Sequence, residues 1–295
     1  MGVARRVDVR PFDLLRTFAL QRFGLFDPTA TSSQRTLSKA FASARGITVV
    51  DLTLAAGSVT IEASGADEES TAVDLAASLQ TDDGYASFAP SHPLLAKLHR
   101  TLPGLRLVRV PWRFDVACCA VLQQRVTVRE ALQQWRRITQ KYGDMAASRP
   151  TLRTFPNAEC IARLESWRLE ELGVDPKRTR AMIALAREVH RRDLFGVHDL
   201  ARVRKIMHSV RGIGPWTTEL TLGFGYGDPD ALPVGDLHLP HLVTWALARE
   251  PLGTDARMEE LLEPCRGQRF RAVRLLLAAG ITVPRVGRST PHQSG

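Results

Sequence analysis

Val210-Arg211-Gly212-Ile213-Gly214-Pro215-Trp216-Thr217-Thr218 is followed, after a glycine-studded stretch, by Leu232-Pro233-Val234-Gly235-Asp236. Apolar residues recur at helical spacing before the first segment, in Leu200–His208, and within Pro215–Gly223. Ser209–Gly214 is therefore a tight turn between two helices. Gly212 and Gly214 permit positive φ and close approach of another backbone. Pro215 takes the first helical position, where proline is favoured. The second helix then aims free N–H groups and its positive dipole end at the glycine turn, which suits a phosphate bound without sequence readout. Ile213 points back between the helices as an anchor, and Arg211 adds a cation beside the turn. A bare Gly-x-Gly is usually an ordinary helix connection. Trp216-Thr217 and the lone carboxylate of Asp236, 22 residues after Gly214, give it more weight. Gly235-Asp236-Leu237 opens an apolar helix, so Asp236 also reads as an N-cap, with the helix dipole keeping it ionised.

Outward from the hairpin, helical periodicity runs through 94–102, 115–122, 128–142, 157–163, 178–190, 199–209, 216–223, 237–248, 257–263 and 269–279. Breaks punctuate it at Pro103-Gly104, Gly143, Ser148–Pro150, Gly173, Gly196 and Gly253. The first 90 residues differ. Ile47–Leu54 and Ser58–Ala63 are β-rich and joined by Ala-Ala-Gly, which predicts a hairpin. Leu14–Phe23 and Thr36–Ala44 have helical character, and the acidic Ala66–Gln80 fits a helix or a loop. The 295 residues suggest two or three domains. Pro284–Gly295 is polar and aperiodic and predicts a disordered tail.

Lys and Arg total 40 against 31 acids, a net charge of +9. That balance favours a polyanionic partner, nucleic acid first. Arginine outnumbers lysine 35 to five, a bias that codon usage explains and that also suits bidentate phosphate binding. The basic run Arg266–Arg274 reads as the solvated face of the last helix, with contact to DNA as the alternative. Cys118, Cys119, Cys160 and Cys265 form no CxxC pair and fit neither zinc nor iron–sulfur spacing. Adjacent Cys118 and Cys119 lie in an apolar helical run and read as core. A reducing cytoplasmic compartment, no membrane span and a monomer are the expectations. His238 and His241 share a helix face but lack a third metal ligand.

Gly212-Ile213-Gly214-x-Trp216-Thr217, with Asp236 downstream, resembles the helix-hairpin-helix superfamily of DNA glycosylases. The branch it most resembles is the bacterial 3-methyladenine DNA glycosylase II type. Ala120-Val121-Leu122-Gln123-Gln124-Arg125-Val126-Thr127 is similar to that branch's Ala-Ile-Leu-Gly-Gln-x-Val-Ser segment, and Leu172–Ala184 with Lys177-Arg178 also fits. The resemblance covers residues 105–280 well and the N-terminal part loosely. It implies an α+β N-terminal domain, a small antiparallel sheet with helices, followed by a mostly α-helical two-lobed core. The expected divisions are 1–92, 113–228 with the hairpin at about 209–214, and 93–112 plus 229–283 carrying the aspartate.

The resemblance also implies roles. Asp236 is the essential carboxylate, stabilising oxocarbenium character on the deoxyribose or orienting a water as the N-glycosidic bond breaks. Double-stranded DNA with a damaged base docks on Arg211, Gly212, Ile213, Gly214 and Thr217, while Gln124-Arg125 enters the duplex. The base, an alkylated purine, flips toward a pocket of Trp216, Leu220, Leu237 and Cys265. Bifunctional members carry a Schiff-base lysine in the slot of Trp216, so this chain is expected to be monofunctional. No cofactor is expected, apart from a structural Na+ or K+ on the backbone carbonyls of His208, Val210 and Ile213. Leu220, Leu237 and Cys265 stand where aromatic residues are usual, and Arg125 stands where an apolar wedge is. These departures leave open a different lesion range, of bulky or deaminated bases, and a non-catalytic DNA-binding protein. A glycosylase/lyase using another amine is a further alternative.

Overall fold

The computed structural model describes residues 2–9, 11–18, 23–196 and 198–284. The expected tail, beyond Pro284, lies outside the described residues. The chain opens with β1 (Val3–Asp8) and α1 (Leu14–Phe18), then β2 (Ala30–Ser32), β3 (Thr36–Ala42), β4 (Ile47–Ala55), β5 (Ser58–Gly65) and α2 (Glu68–Gln80). The strands form one antiparallel sheet in the order β1-β5-β4-β3-β2. The β4–β5 hairpin was legible in the sequence.

Thr36–Ala44 was not: the expected helix is strand β3. It pairs with β2 on one edge and with β4 on the other, from Thr36↔Thr53 to Ala42↔Ile47. Two ladders and burial of alternate residues outweigh the modest helix preference of its Ala, Leu and Lys. Leu37 and Phe41 enter the main core, and Lys39, of the same parity, is buried. Ala40 packs with Val49, Ala146 and Leu152 in a separate small cluster. Of the helix expected over Leu14–Phe23, Leu14–Phe18 is helical, and residues 19–22 lie outside the described set.

Helices then dominate: α3 (Pro93–Thr101), α4 (Arg113–Leu122), α5 (Val128–Tyr142), α6 (Ala158–Arg163), α7 (Ser166–Glu170), α8 (Pro176–Arg192), α9 (Leu200–Ser209), α10 (Pro215–Thr221), α11 (Leu239–Ala248), α12 (Asp255–Leu262) and α13 (Arg269–Ala278). Side-chain caps mark several starts: Thr127 before α5, Asp175 before α8 and Asp199 before α9. Two elements escaped the periodicity. The short polar hairpin β6 (Met145–Ala146) and β7 (Arg149–Arg153) has no alternating apolar run, and α7 is five residues long.

One apolar core runs from the sheet through α4, α5 and α8 to the hairpin, and includes Trp112, Trp135, Met182 and Ile213. A second joins α3, α11, α12 and α13 around Leu95, Val243, Met258 and Leu276. A polar cluster is sealed where the sheet meets the helices. Lys39 Nζ lies 2.8 Å from Asp115 Oδ2 on α4 and donates to Thr29 Oγ1 at 2.7 Å. Asp27 beside it accepts from the Trp135 indole at 3.0 Å.

The basic run at the C-terminal end is a correction. Arg271 and Arg274, read as part of a solvated face, are 1% and 3% exposed. Arg271 Nη2 meets Asp83 at 2.9 Å, and Arg274 donates to the carbonyls of Arg16 and Thr17. Arg266 and Arg269 are paired with Glu263 and Asp230. Most of this charge is spent inside the protein, tying α13 to the N-terminal region.

Candidate active site

The hairpin forms where the sequence placed it. Helix α9 ends at Ser209, Ile213 N–H donates to the Val210 carbonyl at 3.0 Å, and α10 starts at Pro215. The two glycines serve different ends. Gly212 has φ +89°, and a Cβ there would sit 2.7 Å from the Ala181 Cβ of α8. Gly214 has φ −99°, an ordinary value, and a Cβ there would meet nothing within 4 Å. Only Gly212 uses the left-handed region; Gly214 keeps the start of α10 uncovered. Ile213 is buried in the main core as its anchor, while Arg211 is exposed.

Two braces hold the hairpin. Arg204 of α9 grips Glu219 of α10 at 2.7 and 2.9 Å and reaches Asp228 at 2.9 Å. Gln124 Nε2 donates to the Gly212 carbonyl at 3.1 Å and to the buried Thr217 Oγ1 at 2.8 Å. The side chain expected to enter a duplex thus locks the turn in the free protein. Arg125 beside it is exposed and left-handed at φ +56°, which aims it outward from the end of α4. Arg178 holds that end, donating to the Leu122 carbonyl and to Gln134 Oε1. The Arg204 brace was missed in the sequence reading because neither its spacing nor its composition marks a tertiary ion pair.

Asp236 is drawn against the hairpin. Its Oδ1 accepts from the backbone N–H groups of His238 at 2.7 Å and Leu239 at 2.8 Å. Its Oδ2 accepts from the Trp216 indole at 2.7 Å. Helix α11 begins at Leu239 rather than Leu237, so Asp236 lies ahead of the helix and still satisfies its first donors. Gly235, at φ +90°, turns the chain here, and its N–H is held by both carboxylate oxygens of Asp255 at 3.1 Å. Nothing in the sequence pointed to Asp255. The carboxylate is thus fixed from three sides and half-buried.

The remaining expected residues fall in different settings. Trp216 and Leu220 are partly exposed on α10, and Leu237 is 75% exposed beside Asp236. Cys265 is buried in the second core, where burial pushes its thiol up. Burial also pushes the Cys118 and Cys119 thiols up. His241 Nδ1 accepts from Gly253 N–H at 2.8 Å, a loop contact. Among the described residues no helix is long and apolar enough to cross a membrane.

Comparison with known proteins places this arrangement. A DNA-3-methyladenine glycosylase of Bacillus subtilis is 28% identical over 165 residues, 54% of each chain. A probable bifunctional transcriptional activator/DNA repair enzyme AlkA of Mycobacterium tuberculosis is 32% identical over 163 residues, 54% of this chain and 31% of that one. This chain thus spans about half or less of the length of these curated relatives. In fold, a 3-methyladenine DNA-glycosylase from Archaeoglobus fulgidus superposes with a TM-score of 0.76 at 18% identity, covering 94% of this chain and 98% of that one. The model of the HhH-GPD superfamily base excision DNA repair proteins matches residues 118–267, from α4 through the hairpin and Asp236 to the start of α13, and the chain belongs to that superfamily.

Proposed function

We propose that the protein is a monofunctional DNA glycosylase that hydrolyses the N-glycosidic bond of a damaged base, an alkylated purine, in double-stranded DNA. The observation that carries this reading is the Asp236 carboxylate, held by two backbone N–H groups and the Trp216 indole next to a glycine hairpin. A phosphate docks at Gly212–Gly214 against the open start of α10, with Arg211 adjacent and Thr217 and Gln124 supporting the turn. Arg125, aimed outward, fills the gap left by the extruded nucleotide. The base turns toward Trp216, Leu220 and Leu237. As the bond from C1′ to the base nitrogen breaks, Asp236 stabilises the positive charge on the sugar. Water adds its oxygen to C1′, its proton is released, and the products are free base and an abasic site. Trp216 occupies the slot of an amine nucleophile, and no lysine follows Lys205, so no Schiff base forms and the strand stays intact.

The name of the Bacillus subtilis relative, a DNA-3-methyladenine glycosylase, supports an alkylated base. The exposed Leu237 and the partly exposed Leu220, in place of rings, favour a lesion range wider than methylpurines. The carbonyls of His208 and Ile213 accept no hydrogen bond from the described residues, and that of Val210 accepts one. These three oxygens fit a structural Na+ or K+ that would stiffen the turn without entering the chemistry.

The test is a panel of duplexes carrying 3- and 7-methylpurines, ethenoadenine, hypoxanthine, uracil or a bulky adduct, followed by alkali to reveal abasic sites. At least one lesion is expected to yield alkali-dependent cleavage, with no nicking before alkali and no borohydride-trapped adduct. Asp236→Asn should slow excision at least about 100-fold, the scale of a lost transition-state contact, while duplex binding persists. Duplex binding without excision on every lesion would instead indicate a non-catalytic DNA-binding protein.

A further inference from the structure

A recess of about 830 Å³ begins at the hairpin, at Arg211 and Gly212, and follows one face of α8 opposite Leu164–Ser166. Its floor is apolar, with Ala181, Ile183 and Ala184. Its rim is cationic: Lys177, Arg180, Arg187 and Arg211 line it, all exposed. Among the described residues none of these four forms an ion pair, whereas Arg204, Arg269 and Arg271 elsewhere are each matched to acids. Arg163 also lines it but is paired with Glu159 at 2.5 Å. Glu165 is the one acid of the lining, and its carboxylate accepts from the Trp167 indole.

Uncompensated cations at this density attract a polyanion. The groove is also continuous with the hairpin, since Gly212 abuts Ala181 so closely that a Cβ would lie 2.7 Å away. Lys177 and Arg187 lie ten residues apart on α8, about 15 Å along the axis. One DNA strand carries a phosphate roughly every 3.4 Å of duplex axis, so a rim of this length laid along the duplex axis matches about four of them. We propose that this groove holds the DNA backbone flanking the segment docked on the hairpin, so that the footprint extends along α8. The proposal rests on the reading of the protein as a DNA glycosylase. Contacts of this kind position the duplex and carry no sequence information. They act on affinity and salt dependence rather than on the choice of lesion.

The experiment compares the full chain with Arg180→Ala/Arg187→Ala and with the charge-keeping Arg180→Lys/Arg187→Lys. The probe is a duplex carrying a tetrahydrofuran abasic-site analogue, full length or cut back on one flank or the other. Both arginines are exposed, so melting temperatures should agree. On the full duplex the alanine variant is expected to bind about tenfold more weakly, with a salt slope shallower by roughly 1.8, about 0.9 for each lost contact. The deficit should vanish when one flank is cut back and persist when the other is, and the lysine variant should recover most of it. Equal binding by both proteins overturns the proposal, as does a deficit independent of either flank. Loss of binding to a leucine-containing acidic peptide with DNA affinity unchanged would assign the groove to a protein partner instead. Failure of the unmodified protein to bind any of these duplexes would overturn this inference and the functional reading together. The flank-dependent deficit in a protein that excises nothing would leave the groove assigned and the glycosylase reading alone refuted.

Discussion

At the scale of single residues, Trp216 and Asp236 act as a unit. The indole N–H donates to Oδ2 while two backbone N–H groups hold Oδ1. A base stacked on the indole would therefore lie next to a carboxylate that the same indole orients. Trp216→Phe keeps a ring for stacking and removes the donor. A hydrogen bond to a charged group contributes about 1.5–3 kcal/mol, so single-turnover excision should slow about 10- to 100-fold. Duplex affinity should change less than about twofold, since no phosphate contact is lost. An unchanged rate would mean that the indole serves only as packing.

At the scale of the element, the hairpin glycines can be separated experimentally. A Cβ at Gly212 meets Ala181 at 2.7 Å in a left-handed backbone, whereas one at Gly214 meets nothing within 4 Å. Gly212→Ala should cost about 2 kcal/mol or more and lower the melting temperature by roughly 5 °C. Gly214→Ala should leave melting within about 1 °C but weaken duplex binding roughly tenfold, by covering N–H groups a phosphate would use. Thermal unfolding and equilibrium titration of the two variants check the pair. The sequence marked both glycines with the same reading, a permissive backbone. Their different duties appear only once α8 is seen packed on one of them.

At the scale of the whole molecule, two buried ionic clusters join regions distant in sequence. Lys39 and Asp115 connect the sheet to α4 with almost no exposure of either side chain. Burial pushes the Asp115 carboxyl up, against the opposing pull of Lys39. Lys39→Met leaves a buried carboxylate without its partner and should destabilise the fold by about 3–5 kcal/mol, whereas Lys39→Met with Asp115→Leu should recover most of that. Chemical denaturation of both variants measures the difference.

Asp83 makes the second cluster with Arg271 and Arg106. Burial acts to raise its carboxyl, but the Arg271 charge and hydrogen bonds from Leu107, Arg271 and Arg106 prevail and hold it below the ordinary carboxylate value. An acid lowered by folding contributes stability above its unfolded value, and that contribution is lost as pH falls through the folded one. Stability should therefore decline as pH drops below about 4. Asp83→Asn should be less stable at pH 7 and show a flatter decline on the acid side, read from denaturation curves between pH 7 and 2.

Local chemistry was enough to place the hairpin, the order and bounds of most helices and the β4–β5 hairpin. Each rests on contacts within a few residues: periodicity of one face, a proline at a helix start, a glycine at a turn. Partners far along the chain settled the rest. Thr36–Ala42 became a strand because β2 and β4 flank it, and Arg271 and Arg274 left the surface because Asp83 and the carbonyls of Arg16 and Thr17 take up their charge. Asp236 met Trp216 because the chain between them folds back on the hairpin. Lys177, Arg180 and Arg187, unremarkable along the chain, share one groove with Arg211 because α8 lies against Gly212. Intrinsic preferences decide a helix or a turn, but the burial of a charge and the meeting of two side chains are set by which surfaces are left to cover each other.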